Sequence, residues 1–506
     1  MTAAPISFGR REHRGMITLT VMVASILQAI DATIANVALP RMQGSLSATQ
    51  DQMTWVLTSY IVAAAIMTPL TGWFADRFGR KPLFLFSVIG FTISSALCGM
   101  AQSLDQIVMF RLLQGLCGAA LVPMSQAVMF DIYPPARHGR AMSIWGLGVV
   151  MGPMLGPVLG GWLTDNYSWR WVFYINVPFG VLAVLGVLAY MPDTRHARKS
   201  FDFFGFASLS LAVGMLQVML DRGPLKDWFS STEIKLEALV AVLALYVFLV
   251  HSATVPRPFI RLGLFRDRNF LSGSILIFLI GAVLLASMSL MAPFLQGLMN
   301  YSVLQAGYMM SPRSIGTVIG MFLVGRLIGR YDIRLFIAVG LCVTAVSIWL
   351  TTHFSLQMGM RPIFISGLLQ GFGTGIAWVP MTTMTFATLL PAVRNEATAL
   401  FSLVRNLGTS MGISVAQGLL VHNMQVTHAS LATHVTPFTR TLPHVAGVTG
   451  AAAAVLLNQQ VSGQAAMIAY LDDFRFLFFL TMIAIPFLLV VRSPDRFEGA
   501  AHAIVE

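Results

Sequence analysis

The chain has 506 residues, of which 56% are hydrophobic and only 10% charged, with a mean hydropathy of +0.75. A soluble domain carries roughly 25% charged residues, so this composition argues against a soluble enzyme and puts most of the chain in lipid. The net charge of +11 is scattered between apolar runs rather than gathered on a soluble module, which excludes a nucleic-acid reading.

From the N-terminus, MTAAPISFGRREHRG is a short polar leader without a small-residue cleavage site, so no removable signal peptide is expected. Apolar runs of about 20 residues, the length that crosses a bilayer, then predict fourteen helices. They cover 16–38, 54–74, 82–101, 106–130, 141–163, 171–191, 204–221, 236–254, 270–294, 307–327, 334–353, 361–387, 401–421 and 475–492. Strands are not expected, since the runs are long and carry the GxxxG spacing of packed membrane helices. With the N-terminus in the cytoplasm, 22 of the 32 Lys and Arg residues fall in inner loops and 8 in outer ones. Arg111 and Arg313 lie within or at the ends of helices. This asymmetry follows the positive-inside rule and places both termini in the cytoplasm. Cys98, Cys117 and Cys342 have no CxxC spacing, and His422, His428 and His434 are six apart, so neither a disulfide nor a metal site is expected.

The chain also repeats itself. Residues 112–124 read LLQGLCGAALVPM and residues 368–381 read LLQGFGTGIAWVPM, and each copy is followed by a matched Pro and Arg. GWFADRFGRK after the second span echoes GRLIGRYDIR after the tenth. Both echoes shift by eight helices, which six helices, two inserted ones and six more would produce. The expected organisation is a leader (1–15), an N-terminal six-helix bundle (16–199), two inserted helices (200–256), a C-terminal bundle (257–495) and a cytoplasmic tail (496–506). A long external loop is expected over 422–474, with a possible helix at 446–470. Duplicated membrane units with a site at their junction are the architecture of a secondary transporter.

Four motifs stand out along the chain. Span 1 holds Ile30-Asp31-Ala-Thr-Ile-Ala-Asn36-Val-Ala-Leu-Pro40. The loop after span 2 holds Gly72, Asp76, Arg77, Gly79, Arg80 and Lys81 in a tight basic turn. Span 5 holds Gly148, Gly152, Gly156 and Gly160 at i+4 spacing, interrupted by Pro153 and Pro157; small residues there allow close packing, and the prolines can bend the helix. WRWVFYINVP (169–178) and MLDRGPLKDWFS (219–230) complete the set.

The second motif resembles the G-x-x-x-D-R-x-G-R-[KR] signature of the major facilitator superfamily. GPMLGPVLGG resembles the string that its drug:proton antiporters carry in the same helix. The span 1 string and the last two motifs resemble the fourteen-span antiporters, most of all the EmrB type (EmrB/QacA subfamily). That resemblance covers residues 10–495, with Ile30 and Ala35 as minor departures. It implies an all-α membrane protein of the major facilitator fold and a proton-driven multidrug efflux antiporter of the bacterial inner membrane. No cofactor beyond the proton gradient is implied. The implied partners are amphipathic drugs, an EmrA-type periplasmic adaptor and a TolC-type outer-membrane channel. It also implies that the glycine run governs conformational switching, that Asp131 joins Asp76 and Arg80 in an interdomain latch, and that the Arg111-to-Gly115 motif takes part in proton coupling.

Two residues stand out on their own chemistry. Asp31 lies about nine residues inside span 1, roughly 14 Å deep at 1.5 Å per residue. A charged carboxylate is costly there, which suits a carrier that is neutral when loaded and anionic when paired. Gln28, one turn back, is the alternative structural partner. Arg111 has Gly367 as its repeat counterpart, so it serves one half only, beside a titrating acid or as a snorkelling cation. Gln28, Asn36, Gln114, Met288 and Met291 are candidate substrate contacts, Met being suited to adaptable apolar pockets. Arg313 resembles a family Pro-Arg feature without an evident role. No catalytic constellation and no P-loop occurs, so a polytopic enzyme or an ATP-driven pump is disfavoured. A facilitator exporting one specific metabolite, or an importer, stays open as the alternative.

Overall fold

The computed structural model describes residues 13–134, 137–192, 201–256, 258–328, 331–390, 393–434 and 451–489. In chain order the helices are α1 (Arg14–Leu46), α2 (Gln50–Met67), α3 (Leu70–Phe78), α4 (Arg80–Met100), α5 (Leu104–Gly118) and α6 (Leu121–Ile132). α7 (His138–Asn166), α8 (Trp171–Tyr174), α9 (Asn176–Tyr190), α10 (Phe203–Arg222) and α11 (Thr232–Thr254) follow. The remainder are α12 (Arg268–Pro293), α13 (Val303–Leu327), α14 (Ile333–Thr351), α15 (Met360–Ala387), α16 (Arg394–Thr433) and α17 (Ala451–Ala484). Helices are what lipid demands, because only they satisfy every backbone donor and acceptor within the segment.

Among the described residues, nine helical stretches are long and apolar enough to cross a membrane. The bent pair Trp55–Met67 and Leu70–Phe78, at 54°, makes a tenth. α7, α13, α16 and α17 fall on the four remaining predicted spans. Polar caps fix several helix starts. Thr49 with Gln52 and Ser302 with Gln305 form capping boxes at α2 and α13, and Asp267 accepts from the Phe270 amide at α12.

One expectation is corrected. The start of the 422–474 segment is not loop, because α16 continues to Thr433, and the helix expected at 446–470 is present as the first part of α17, which runs on from Ala451 into the predicted span. The two extensions lie together, with a His428–Asn458 hydrogen bond of 3.0 Å. Ala, Gln and Leu here are good helix formers but too polar in sum to score as a membrane span.

Between α1 and α7 the helices nearly touch. A Cβ on Gly152 would overlap Ala29, one on Gly156 would overlap Thr33, and one on Gly160 would come within 2.9 Å of Ile34. Thr33 Oγ1 adds a 3.3 Å bond to the Gly152 carbonyl. Gly148 is different: its added Cβ would meet Ile26 at 3.4 Å, an ordinary contact. Pro153 and Pro157 have side chains outside the described set. On its other side α7 reaches α13, where Ser143 donates to the Met321 carbonyl at 2.6 Å. α10 and α11 pack together beside α2, and α10 also bonds α16 through Gln217 and Ser410 at 2.8 Å.

Gly148→Ala and Gly152→Ala should therefore separate cleanly. The first should leave thermal unfolding in detergent nearly unchanged, and the second should destabilise by about 1–3 kcal/mol as α1 is pushed off α7. Equal melting temperatures for the two variants would contradict the packing.

Candidate functional site

α1, α5, α4 and α9 bring one polar cluster together inside the N-terminal helices. Asp31 is 0% exposed and Arg111 1%. Arg111 donates through one terminal nitrogen to Asp31 Oδ2 at 2.6 Å and to Gln114 Oε1 at 2.8 Å. Its Nε donates to the Val56 carbonyl at 3.2 Å, and its guanidinium lies 4.2 Å from the Tyr60 ring centroid. The other carboxylate oxygen, Oδ1, accepts from Gln114 Nε2 at 2.9 Å and from Asn176 Nδ2 at 3.0 Å. Asn176 is held in turn by Ser95 at 2.9 Å. A buried ion pair is stable only when its remaining hydrogen-bonding capacity is met, and here the carboxylate meets three side-chain donors.

Asp31 and Arg111 are thus direct partners. Asp31 is held by Gln114 and Asn176 rather than by Gln28. Gln114, a candidate substrate contact, is fully buried here and spends its amide inside the cluster. Met291 packs in an apolar cluster with Leu290, Phe294 and Tyr470. Gln28 and Met288 are half-buried, while Ala32 and Asn36 are exposed on α1. Asn176, Tyr60 and Ser95 were not singled out from sequence; the one signal was an Asn inside the apolar INVP string.

A second cluster joins the two sets of helices at the opposite end of α1, the face predicted to be cytoplasmic. Asp131 pairs with the buried Arg80 and lies 3.5 Å from Arg394 at the start of α16. Asn395 donates to Asp76 at 2.8 Å. Gly72 permits this approach, because a Cβ there would sit 3.0 Å from the Glu396 Cα. Gly79 turns the chain between α3 and α4 at φ 93°, which a side chain would resist. Arg77 does not join the cluster; it is exposed and lies over Trp73. Arg394 and Asn395 had not been singled out as members.

A family profile described as the Major Facilitator Superfamily matches residues 21–413 and 274–494. The Multidrug export protein EmrB of Escherichia coli (strain K12) is 37% identical over 426 residues, covering 84% of this chain and 83% of that protein. The Fatty acid resistance protein FarB of Neisseria gonorrhoeae is 33% identical over 494 residues, covering 96% and 97%. The solved structure of the human organic anion transporter MFSD10 (TETRAN) superposes with a TM-score of 0.61 at 16% identity, covering 92% of this chain and 99% of that one.

Two outcomes follow from this geometry. Asp31→Asn leaves the Arg111 guanidinium buried without its counter-charge, at a cost on the order of 3–5 kcal/mol. Its melting temperature should fall, and Asp31→Asn with Arg111→Gln should recover much of the loss. A double variant no more stable than the single one would contradict the pairing. Asp131→Asn should leave Arg80 and Arg394 facing each other without the carboxylate that lies between them, with Asp76 as the remaining anion of the cluster. Asn395→Cys should then be labelled faster by a membrane-impermeant thiol reagent, with unchanged labelling as the contrary result.

Proposed function

We propose that this chain, which belongs to the major facilitator superfamily, is a proton-driven antiporter that exports amphipathic toxic compounds across the bacterial inner membrane. The buried Asp31–Arg111 pair is the observation that carries the proposal. An acid in the membrane interior, matched to a cation that only one half of the repeat supplies, has the chemistry of a proton carrier. As an anion, Asp31 satisfies Arg111, Gln114 and Asn176. When a proton arrives, the ion pair is lost and the α1 turn no longer has reason to hold Arg111. α1 then moves against its glycine seam with α7, which supports a switching role for Gly152, Gly156 and Gly160.

The cluster of Asp76, Arg80, Asp131, Arg394 and Asn395 closes one face between residues 16–199 and 257–495, which we take as the two rocking halves around the inserted pair 200–256. With both termini cytoplasmic, as the basic loops require, this is the closed inner face of an outward-facing or occluded protein. Substrate then meets the exposed face of α1 at Ala32 and Asn36, with Gln28 on the same helix and Met288 on α12 as further proposed contacts. Relatives named for multidrug export support the cargo class. The paired extensions of α16 and α17 extend past the predicted outer face, and we assign them the docking of a periplasmic adaptor that continues to an outer-membrane channel.

Drug-driven proton exchange in proteoliposomes containing only this protein tests the reading. Wild type should exchange and Asp31→Asn should not; exchange by a well-folded Asn variant would remove Asp31 as the carrier. Shortening 422–474 should spare that exchange while abolishing resistance in cells with an outer membrane. Loss of both activities would instead make the hairpin part of the transporter itself.

A further inference from the structure

The offset that carries Gln114 onto Gln370 also carries Asp31 onto Ser287 and Arg111 onto Gly367. The side chains obey it. Gln370 Nε2 donates to Ser287 Oγ at 2.9 Å, as Gln114 Nε2 donates to Asp31 Oδ1 at 2.9 Å. The cation lost at Gly367 returns from another helix. Arg313 of α13 donates to Ser287 Oγ at 2.7 Å and to Gln370 Oε1, as Arg111 does to Asp31 and Gln114. Gly367 lies against the same stretch of α13: a Cβ added to it would meet the Arg313 backbone nitrogen at 3.7 Å. The two halves therefore contain the same trio of guanidinium, amide and oxygen acceptor, with one change: the carboxylate of the N-terminal trio is a hydroxyl in the C-terminal one.

That change leaves a positive charge without its anion. Arg313, Ser287 and Gln370 are 8%, 2% and 3% exposed, and no described carboxylate pairs with Arg313. Among the described residues, Arg405 on α16 is likewise bonded through its side chain to a neutral group, Asn406. The N-terminal trio is neutral at its ion pair, whereas the matching C-terminal trio of Arg313, Ser287 and Gln370 carries an unbalanced positive charge. Holding a guanidinium among neutral dipoles is expensive, and a planar two-oxygen anion relieves it best because the fork accepts it in parallel. Packing beside the trio is incomplete: a cavity of about 20 Å³, lined by Gln370, Thr344, Thr374 and aliphatic side chains such as Leu279 and Val283, adjoins it.

We propose that Arg313, Ser287 and Gln370 form a binding site for the carboxylate head of an amphipathic acid, which takes the place that Asp31 fills in the other half. Arg313 supplies the charge, the Ser287 hydroxyl and the Gln370 amide supply donors, and the aliphatic lining receives the start of the tail. That the acid is cargo rests on the efflux reading; that it binds does not.

The test is equilibrium binding of radiolabelled laurate to the purified full chain in nanodiscs, with dodecyltrimethylammonium and dodecanol as probes of the same tail. Wild type should prefer laurate to dodecanol. Arg313→Gln and Ser287→Asp should each weaken laurate at least about tenfold, as expected for loss of a charge-assisted bond, with dodecyltrimethylammonium nearly unchanged. Ser287→Asp supplies the missing carboxylate from within, so it should also raise the melting temperature and keeps the test valid if Arg313→Gln folds poorly. Equal affinity for laurate and dodecanol, undiminished laurate binding by Ser287→Asp, or equal weakening of laurate and the ammonium probe would each overturn the proposal. So would displacement of laurate by physiological chloride that itself stabilises the protein, which would reassign the site to a free inorganic anion. Drug-driven proton exchange by wild type in proteoliposomes, measured in parallel, reports separately on the efflux reading.

Discussion

The burial of the Asp31–Arg111 pair is the constraint on which the rest of this structure depends. An ion pair shielded from water survives only while both charges stay matched and bonded, so every neighbour is committed. α5 supplies the cation and Gln114, α9 supplies Asn176, α4 supplies Ser95, and α2 offers the Val56 carbonyl and the Tyr60 ring. α1 is thereby tied on one side by polar bonds. On the other side it lies against glycines of α7 at the residues flanking Asp31, namely Ala29 and Thr33. The helix that carries the acid is gripped on both faces, and a change in its charge cannot remain local.

The second charge cluster makes that grip consequential. Asp131 lies between Arg80 of one half and Arg394 of the other, far along the chain from Asp31, and the intervening α1, α6 and α7 are packed continuously. Two electrostatic sites separated by well-packed helices have few independent states. Interiors packed this densely move by switching between arrangements rather than by gradual deformation.

Much of this was legible from residues because charge in an apolar run is rare and repeats are countable. Asp31 and Arg111 stood out as the acid and the asymmetric cation, and they are in contact. Other features were hidden for identifiable reasons. Asn176 is uncharged and sits in a string that reads as apolar. Arg313 is matched to Gln370 through space from a different helix, so a comparison of the repeats in register finds only Gly367. Gln114 looked like a polar group available to a substrate because sequence does not reveal how many bonds it already makes. The extension of α16 was read as loop, and that of α17 only as a separate helix at 446–470, because the criterion for a span was fitness for lipid, and a helix standing in water fails that criterion without ceasing to be a helix.

α16 has one more property. Its 40 residues run unbroken from Arg394, beside Asp131, to Thr433, beyond the predicted span. At 1.5 Å per residue that is roughly 60 Å, about twice the hydrocarbon thickness. A continuous helix of that length behaves as a stiff beam with its root in the charge cluster between the halves. When the root tilts, the far end, which α17 accompanies through the His428–Asn458 bond, sweeps an arc enlarged by leverage. A small displacement of Arg394 against Asp131 would thus reach the other end of the helix as a large one.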